Sequence, residues 1–371
     1  MNIQNRIDKE YSNVPKSVLD KLNRNLYKIK SHPLEIIKNK IFEYFKSKIN
    51  NCEIYEDLDK IVSVQDNFDN LLIPKNHPSH SKSDTYYVDK DHVLRTHTTA
   101  HQTQLFKKGV DNFLICGDVY RRDEVDSCHY NIFHQLEGVV LYEIDEQIDL
   151  EKTLVDLMSG LCEYLFPGCE YRVKPDYFPF TNPSFEIEVF YSNKWLEILG
   201  CGIIQPEILS NSNKANKKGI AWGLGLERLA MVLFDIPDIR YFWMEDTKFL
   251  EQFKSGEIKK FVRFSPLESI SKDISIFVKS SDMDLNTNTW TKANEFYEEI
   301  RGLSDDWIGE IKQIDSFYNK KKIAQSYCFR LVYSAKDYKI TNPSDFNKLV
   351  NDIQTNLVNQ LRLLDWIEIR G

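Results

Sequence analysis

FLICGDVYRRDEVDSCHYNIFHQLEGVVLYE, residues 113–143, is the stretch from which the fold is best predicted. Its first part, residues 113–121, is apolar and rich in residues that favour β-strands. Residues 122–131 are almost all polar or charged, and a second strand-like run begins at Ile132. The pattern predicts two β-strands joined by a polar loop.

The second strand is expected to carry a row of functional side chains. Because side chains alternate between the two faces of an extended strand, Phe133, Gln135 and Glu137 should share one face, opposite Arg121. At about 3.3 Å per residue, the row spans roughly 13 Å from ring to carboxylate. A ring can stack on a flat base, an arginine can hold a phosphate bidentately, and a carboxylate can bind an ammonium group. The hairpin alone leaves two interpretations open, a ligand site or a solvated surface hairpin with scattered charge.

The composition is that of a soluble globular protein of two or three domains, with 371 residues, 42% of them hydrophobic and 28% charged. No apolar run approaches the roughly 18 residues that cross a bilayer. Seven cysteines without CxxC pairs argue against a disulfide framework and a zinc module, and favour a reducing compartment. Residues 257–371 carry equal numbers of acidic and basic residues, so the net charge of −8 belongs to residues 1–256. Contacts with a nucleic acid would therefore use local basic patches.

Three segments before the hairpin are informative. Residues 33–49 (PLEIIKNKIFEYFKSKI) predict a long amphipathic helix that begins at a proline. Residues 68–87 contain two prolines and predict an ordered loop. LRTHTTAHQTQ, residues 94–104, places hydroxyl and imidazole groups just before a helix, where Thr98 or Thr99 is a natural N-cap. The histidines of the chain show no metal-binding spacing.

After the hairpin, an aromatic segment precedes a pair of strands. DYFPFTNPS, residues 176–184, is stiffened by prolines, which are not expected inside a central strand. Phe178 and Phe180 share a face if this segment is extended. Residues 185–190 and 195–200 then predict an antiparallel strand pair.

GIAWGLGLERLAMVLF, residues 219–234, predicts a glycine-rich strand that runs into a helix. Gly223 and Gly225 would let the backbone approach a ligand closely, and Arg228 lies in the first turns of the helix. The glycine spacing is not that of a phosphate-binding loop.

The C-terminal part predicts a second, smaller unit. Residues 245–260 are expected to form a charged connector with few apolar anchors, and residues 261–278 a strand, a loop and a second strand. The remaining predicted elements are a helix (290–302), two strands (307–317 and 325–333), a helix (344–360) and a strand (365–369). This order is typical of a ferredoxin-like α+β sandwich.

Together these segments resemble the phenylalanyl-tRNA synthetases of the single-chain, mitochondrial type, over nearly the whole chain from Phe68 onward. The motifs are FDNLLIPKNHPS, LRTHTTAHQ, GDVYRRDEVDSCHYNIFHQLEG, YFPFTNPSFE, WLEILGCG and GLGLERLAM. The resemblance implies an α+β fold, in which the antiparallel sheet of a class II synthetase is flanked by helices and followed by a ferredoxin-like anticodon-binding domain. The divisions it implies are an N-terminal extension (1–30), the catalytic domain (31–244), a linker (245–260) and the anticodon-binding domain (261–371).

The resemblance also implies an ATP site. Arg121 would hold the α-phosphate of ATP and Arg228 the γ-phosphate, and both would be catalytic. Phe133 would stack on adenine, with Gly225 also in the ATP site. Glu197 is a candidate carboxylate ligand for Mg²⁺, with a solvated strand acid as the alternative.

The same resemblance implies a phenylalanine pocket. Phe178 and Phe180 would contact the ring of the substrate edge-to-face, and Ala221 would form the pocket floor. Thr99 stands where the family more often has serine, which implies a tighter pocket with the hydroxyl retained. The residues expected around the amino and carboxylate groups are His97, Thr99, Gln102, Gln135 and Glu137. Leu136 and Gly138 are also expected to bind the substrate.

The implied reaction has two steps. Phenylalanine and Mg-ATP form phenylalanyl-adenylate and pyrophosphate, and the acyl group then passes to tRNA(Phe). The resemblance thus implies ATP and Mg²⁺ as cofactors, tRNA(Phe) and L-phenylalanine as partners, and a monomer with no membrane association. It implies the mitochondrial matrix, with the cytoplasm as the alternative because no presequence is evident.

Two alternatives stay open. The first is an adenylate-forming ligase on the same fold that acts without tRNA, against which the anticodon-like C-terminal unit argues. The second is a non-catalytic synthetase-like regulator. Such a protein is expected to have lost Arg121, Arg228 or Glu137, and all three are present.

Overall fold

The computed structural model describes residues 6–244, 247–263, 267–284, 289–335, 340 and 342–370. Some expectations therefore reach beyond the described residues, namely the outer ends of the first and last domains (1–5 and 371), part of the linker (245–246) and part of the strand expected from residue 261 (264–266). Among the residues described, no helix has both the length and the apolar character to cross a membrane.

The chain alternates helices and strands, which form a seven-stranded sheet, a four-stranded sheet and two short ribbons. In chain order the α-helices are α1 (Lys16–Leu19), α2 (Pro33–Lys48), α3 (Val64–Asn67), α4 (Gln102–Lys107), α5 (Leu150–Leu165), α6 (Pro206–Asn211), α7 (Leu226–Phe234), α8 (Thr247–Glu251), α9 (Ala293–Ser304) and α10 (Pro343–Leu361). The β-strands are β1 (Glu53–Tyr55), β2 (Ile61–Ser63), β3 (His92–Leu94), β4 (Asn112–Tyr120), β5 (Ile132–Glu143), β6 (Tyr171–Asp176), β7 (Thr181–Tyr191), β8 (Lys194–Ile204), β9 (Lys217–Gly225), β10 (Ile270–Lys279), β11 (Met283–Asp284), β12 (Thr289–Trp290), β13 (Ile308–Asn319), β14 (Ala324–Tyr333) and β15 (Ile367–Arg370).

The large sheet has the order β1-β4-β5-β9-β8-β7-β6, and neighbouring strands are antiparallel except β1 and β4. β4 and β5 are the hairpin predicted from residues 113–143, paired from Asn112↔Val140 to Tyr120↔Ile132. Alternate β5 residues enter two different cores, since Leu136 packs with the helices α2, α5 and α7, whereas Val139 packs with α4 and α6 on the other face. Two-sided packing of this kind confirms the predicted α+β class.

Helix α2 shows how local sequence sets the packing. The predicted helix over 33–49 is observed as Pro33–Lys48, and the His32 side chain caps it by accepting a hydrogen bond from the Leu34 amide (3.2 Å). Phe45 is fully buried and lies 4.7 Å from the Trp222 ring of β9. The apolar stripe of α2 therefore covers the middle of the sheet.

The C-terminal unit is built from β10, α9, β13, β14, α10 and β15 in chain order. Its sheet has the order β13-β14-β10-β15, with all neighbours antiparallel. Both helices contribute buried residues to the core over this sheet, among them Phe296 and Val350. The predicted ferredoxin-like sandwich is thus confirmed.

The connector differs from its prediction. Few apolar anchors were expected over 245–260, but Phe249 and Phe253 are fully buried in the core of the large sheet. Phe261 joins them, and its amide donates a hydrogen bond to the Phe234 carbonyl (2.6 Å). The predicted strand does not begin at Phe261, because residues 261–263 belong to no strand. These phenylalanines contact residues that are far away in sequence. The charged composition of the connector therefore did not indicate that it contributes to the core.

One proline also lies where none was expected. Pro183 is inside β7, a central strand between β6 and β8. The pairing of β7 with β8 is interrupted between Thr181 and Ser184. This interruption leaves Pro183 outside the regular ladder, so its missing N–H costs no ladder hydrogen bond.

Candidate active site

A cavity of about 710 Å³ lies on the face of the large sheet that β5, β8 and β9 share. Most of the predicted site residues line it, which brings together segments far apart in the chain. The cavity-lining members of the predicted set are His97, Thr99, Arg121, Phe133, Gln135, Glu137, Phe178, Phe180, Glu197, Ala221, Gly225 and Arg228.

Three predicted contact residues do not line the cavity: Gln102, Leu136 and Gly138. Leu136 points into the core on the opposite face of β5, as strand alternation requires. Gly138 faces Trp222, and a Cβ there would lie 2.1 Å from the indole, so glycine is needed for this packing. Gln102 is buried in α4. The structure therefore confirms the predicted row of Phe133, Gln135 and Glu137. It does not bring Gln102, Leu136 and Gly138 to the cavity.

Glu137 is a buried carboxylate at the cavity wall, with 3% of its surface exposed. The hydroxyls of Thr99 and Thr98 donate to its Oε2 over 2.6 Å and 3.2 Å. Its Oε1 has no hydrogen-bond partner in the described part of the chain. Burial raises the pKa of Glu137 to about 7, against the opposite effect of the two hydroxyls. A cation that reached Oε1 would find an unpaired acceptor.

The predicted N-cap at Thr98 or Thr99 is wrong. Both residues lie inside a 3-10 turn, Thr98–His101, whose N-cap position is His97 without a side-chain cap. Their hydroxyls donate to Glu137 instead, because a buried carboxylate without hydrogen-bond donors is energetically costly. Sequence reasoning missed Thr98 as a site residue, although it stands beside Thr99 in the same segment.

His97 lies near Glu137 in the cavity wall, and neither ring nitrogen has a hydrogen-bond partner within the described residues. Burial, and then the nearby Arg121, lower the pKa of His97 to about 3, so its imidazole is neutral. The ring lies 6.5 Å from that of Phe180. A neutral imidazole with free nitrogens can donate to a ligand carboxylate.

Phe178 and Phe180 form one aromatic wall, with ring centroids 5.8 Å apart and planes only 9° from parallel. Gly200 makes room for Phe178, because a Cβ at that position would lie 2.7 Å from the ring. Ala221, on β9, borders the same cavity between its strand partners Val139 and Gly202. The result is an apolar part of the cavity, lined by Phe178, Phe180 and Ala221, in the same cleft as the polar groups of His97 and Glu137.

The two predicted arginines reach the cavity from different elements, since Arg121 directly follows β4 and Arg228 lies in helix α7. The Arg121 guanidinium lies 5.1 Å from the centre of the Phe133 ring, and its Nε donates to the Thr96 carbonyl (2.9 Å). Arg228 Nη1 donates to Glu197 Oε2 (2.8 Å), and both side chains are about half exposed. The Glu197 carboxylate therefore forms an ion pair and is also partly exposed to solvent. Sequence reasoning could not find this ion pair, because its partners are 31 residues apart.

The residues of the cleft fit an Mg²⁺ ion that would be held jointly by one protein carboxylate and the phosphates of the substrate. In the described ranges, no group of three or more histidine, cysteine, aspartate or glutamate side chains is placed to hold a metal. Mg²⁺ commonly uses one or two carboxylates together with substrate phosphates, and Glu197 offers an accessible carboxylate in the cleft.

The loop between β4 and β5 contacts both the cavity and the C-terminal unit. Val125 is buried in the core of that unit, and its carbonyl accepts a hydrogen bond from the Ile311 amide (2.8 Å). Tyr130 donates to Asp306 (2.7 Å), and Arg301 donates to the carbonyls of residues 123 and 124. The C-terminal unit thus covers the outer side of this loop.

Residues 19–253 match the family model of the class II core domain of tRNA synthetases (F). This span contains the whole seven-stranded sheet and all the residues that line the cavity. The fold and the cleft therefore define a class II synthetase core.

Similar curated proteins narrow the class. The chain is 43% identical over 375 residues to "Phenylalanine--tRNA ligase, chloroplastic/mitochondrial" of Arabidopsis thaliana, covering 98% of this chain and 84% of that protein. It is 38% identical to the mitochondrial phenylalanine–tRNA ligase of Mus musculus (87% of this chain, 79% of that protein). For the mitochondrial protein of Saccharomyces cerevisiae the identity is 31%, over 96% and 92% of the two chains. The chain belongs to the phenylalanine–tRNA ligases, which confirms the resemblance noted in its motifs.

Proposed function

We propose that this chain activates L-phenylalanine with ATP and transfers it to tRNA(Phe). The observation that carries the proposal is the juxtaposition of unpaired polar atoms, on His97 and Glu137, with the aromatic wall of Phe178 and Phe180. A free amino acid with an aromatic side chain would satisfy all of these groups at once. The proposal is also supported by the family to which the chain belongs.

At this end of the cleft, the ammonium group of phenylalanine binds Glu137 Oε1, next to the hydroxyls of Thr98 and Thr99. Its carboxylate accepts from His97 and from the Gln135 amide, whose Oε1 is oriented by the Thr98 backbone (3.3 Å). The ring enters the recess between the aromatic wall and Ala221. Leu136 and Gly138 support this arrangement from the opposite face of β5, and Gln102 supports it from α4.

At the other end, ATP binds between Phe133 and Arg228. Arg121 now covers the Phe133 ring, so we propose that the guanidinium moves to the α-phosphate when adenine takes its place on the ring. Gly225 leaves space beside the nucleotide, because nothing lies within 4 Å of where its Cβ would be. Glu197 and the ATP phosphates would hold Mg²⁺, which neutralises phosphate charge when bound.

The chemical step then needs no protein nucleophile. The phenylalanine carboxylate oxygen attacks the α-phosphorus, the bond to the bridging oxygen breaks, and pyrophosphate leaves with the electron pair. The residues contribute position and positive charge, which are the main requirements of phosphoryl and nucleotidyl transfer. In the second step a terminal ribose hydroxyl of tRNA attacks the acyl carbon and releases AMP.

The function is tested by two assays on the purified protein. Phenylalanine-dependent ATP–pyrophosphate exchange should be observed. Its absence would favour the alternative that the chain is a non-catalytic synthetase-like regulator. Charging of tRNA(Phe) should also be observed. Exchange without charging would favour a ligase that acts on the amino acid alone.

The remaining parts of the proposal concern the whole protein. We propose that the C-terminal unit binds the anticodon stem, with Lys320 and Lys321 exposed on the β13–β14 turn as candidate phosphate contacts. Lys322, also in this turn, pairs with Glu368. The names of the relatives support the mitochondrion, and we propose the matrix as the compartment and the monomer as the active state.

Substrate size should depend on Ala221. Replacing Ala221 with glycine should raise the efficiency for para-chlorophenylalanine relative to phenylalanine by about 10-fold or more, since one methyl group in an apolar pocket carries discrimination of this order. Pyrophosphate-exchange kinetics with both amino acids measure the ratio. Ala324→Gly, far away in β14, is the control and should leave it unchanged. An unchanged ratio in folded Ala221→Gly would contradict the assigned floor.

The affinity for phenylalanine should fall in acid. With its pKa raised to about 7, Glu137 of the free enzyme is a carboxylate above that pH and neutral below it. Protonation of Glu137 removes the charged partner of the ammonium group, so Kd for phenylalanine should be nearly constant above about pH 8, roughly twice that value at pH 7, and rise by up to about 10-fold per pH unit at lower pH. Calorimetry at constant ionic strength measures this dependence. Glu137→Gln should bind weakly at every pH, and an equal acid dependence in that variant would assign the titration to another group.

A further inference from the structure

A buried charged network lies directly behind the cleft. His134 stands between Phe133 and Gln135 on β5, so its side chain points to the opposite face, where it is fully buried. Its Nδ1 lies 2.5 Å from Glu227 Oε1, and its Nε2 lies 3.3 Å from Asp118 Oδ1. The His134 amide donates to the other Glu227 oxygen (2.9 Å). The imidazole is thus hydrogen-bonded to Glu227, whereas its contact with Asp118 is an ion pair without a hydrogen bond.

The network is charged and balanced. Burial alone would lower the pKa of His134, but Glu227 and Asp118 raise it to about 9, so the ring is an imidazolium at neutral pH. Asp118 is also paired with Lys60 (2.5 Å) and accepts from the Tyr120 hydroxyl (3.1 Å). A buried ion network of this kind is often no more stabilising than apolar residues of the same volume, and its best-attested use is to fix register.

The position of Glu227 shows that the network fixes helix α7 relative to strand β5. β5 and β9 are hydrogen-bonded as far as Gln135↔Gly225, and the ladder ends there. Helix α7 begins at the next residue, so the sheet hydrogen bonds do not fix its direction. Glu227 lies in the first turn of α7, immediately before Arg228. The contact between His134 and Glu227, which spans 93 residues, is therefore a direct link from α7 to the strand that carries Phe133.

We infer that His134 is a positioning residue for ATP, which sets Arg228 through Glu227 and sets Phe133 through its own strand. The inference rests on the proposed function, because it takes Arg228 and Phe133 as the residues that contact ATP. The phenylalanine end of the cleft is held by other contacts, namely the Thr98 amide on Gln135 (3.3 Å), the hydroxyls on Glu137 and the aromatic wall. Loss of His134 should therefore impair ATP binding and leave phenylalanine binding unaffected.

The test compares two histidine variants by calorimetry with Mg-ATP and with phenylalanine, and by pyrophosphate exchange. His134→Gln should lower kcat/KM for ATP by roughly 10- to 100-fold, the range expected when a distant change displaces a binding group by about 1 Å. Its Kd for phenylalanine should equal that of the wild type. His32→Gln is the matched control, since His32 is also buried and bonded to a backbone carbonyl (3.0 Å) but has no carboxylate partner in the described residues. His32→Gln should lower thermal stability, and it should not weaken the binding of Mg-ATP selectively over that of phenylalanine.

Glu227→Gln decides the case if His134→Gln does not fold, because it keeps the shape of the side chain and removes only the charge. It should weaken Mg-ATP selectively, and the double variant should be no worse than His134→Gln alone. Equal losses for both ligands, an unchanged Kd for Mg-ATP in folded Glu227→Gln, or additive effects in the double variant would each overturn the inference. A wild-type protein that binds Mg-ATP but shows no phenylalanine-dependent exchange would defeat the proposed function, while the ATP affinities of the variants would still decide this inference.

Discussion

Replacing Arg228 with alanine should reduce phenylalanine-dependent pyrophosphate exchange by at least about 100-fold, the usual cost of losing one charge-stabilising donor at a reacting phosphate. Arg228 is half exposed in the cleft and pairs across it with Glu197. Its removal therefore takes no side chain out of the core, and the thermal midpoint should change little. Arg121→Ala should have an effect of the same order, because its guanidinium is also exposed to the cleft.

Arg172→Ala is a suitable control for these variants. Arg172 also forms an exposed ion pair on the large sheet, with Glu188, but it lies outside the cavity. It should retain the exchange activity of the wild type. Alanine at position 228 also leaves Glu197 unpaired, so the double variant with Glu197→Gln should be measured beside it. Exchange near the wild-type rate in folded Arg228→Ala would contradict the proposed phosphate contact.

Tethering the C-terminal unit to the catalytic unit should abolish tRNA charging and spare amino-acid activation. Asn294 of α9 donates to the Ser83 carbonyl (2.9 Å), so the two positions are close across the interface. We expect cysteines at both positions, joined by a short bis-maleimide, to prevent the C-terminal unit from leaving the β4–β5 loop that it covers. Charging should fall to the level without enzyme, because the acceptor end and the anticodon of one tRNA are farther apart than one compact domain spans. Exchange should continue, since the cleft and its small ligands are unaffected.

The tethering experiment needs a background without exposed Cys128, which could otherwise react with the reagent. Each single-cysteine variant, treated with the same reagent, serves as a control and should charge tRNA normally. Full charging by the cross-linked double variant would show that the observed arrangement of the two units is already competent for tRNA. A parallel loss of exchange would point to damage of the cleft and not to a restrained domain.

Much of the fold could be predicted because it depends on local patterns. The β4–β5 hairpin follows from the change between apolar and polar runs, and helix α2 from its starting proline and its apolar period. The strand pair β7–β8 was also predicted, and Ser192 and Asn193, at the turn between these strands, have positive φ angles of 50° and 63°. Asparagine and small polar residues tolerate this conformation at hairpin turns better than most residues.

Other features were beyond sequence reasoning because each depends on residues that are distant in the chain. Thr98 or Thr99 was expected to cap a helix, but both hydroxyls donate to Glu137, 39 and 38 residues away. The charged connector contains phenylalanines that are buried in the core of the large sheet. Val125, in a polar loop, belongs to the core of the C-terminal unit.

The alternation of residues along β5 was enough to place a ring, an amide and a carboxylate on one face, since strand geometry allows no other arrangement of neighbouring side chains. The motifs were enough to identify the family. Only the tertiary structure decided which partners those side chains meet, namely that Glu137 Oε1 has no hydrogen-bond partner among the residues that the structure describes, that Glu197 pairs with Arg228, and that His134 links β5 to α7. The reason is physical: the period of a strand is a property of the local backbone, whereas the desolvation and pairing of a charge depend on every element packed around it.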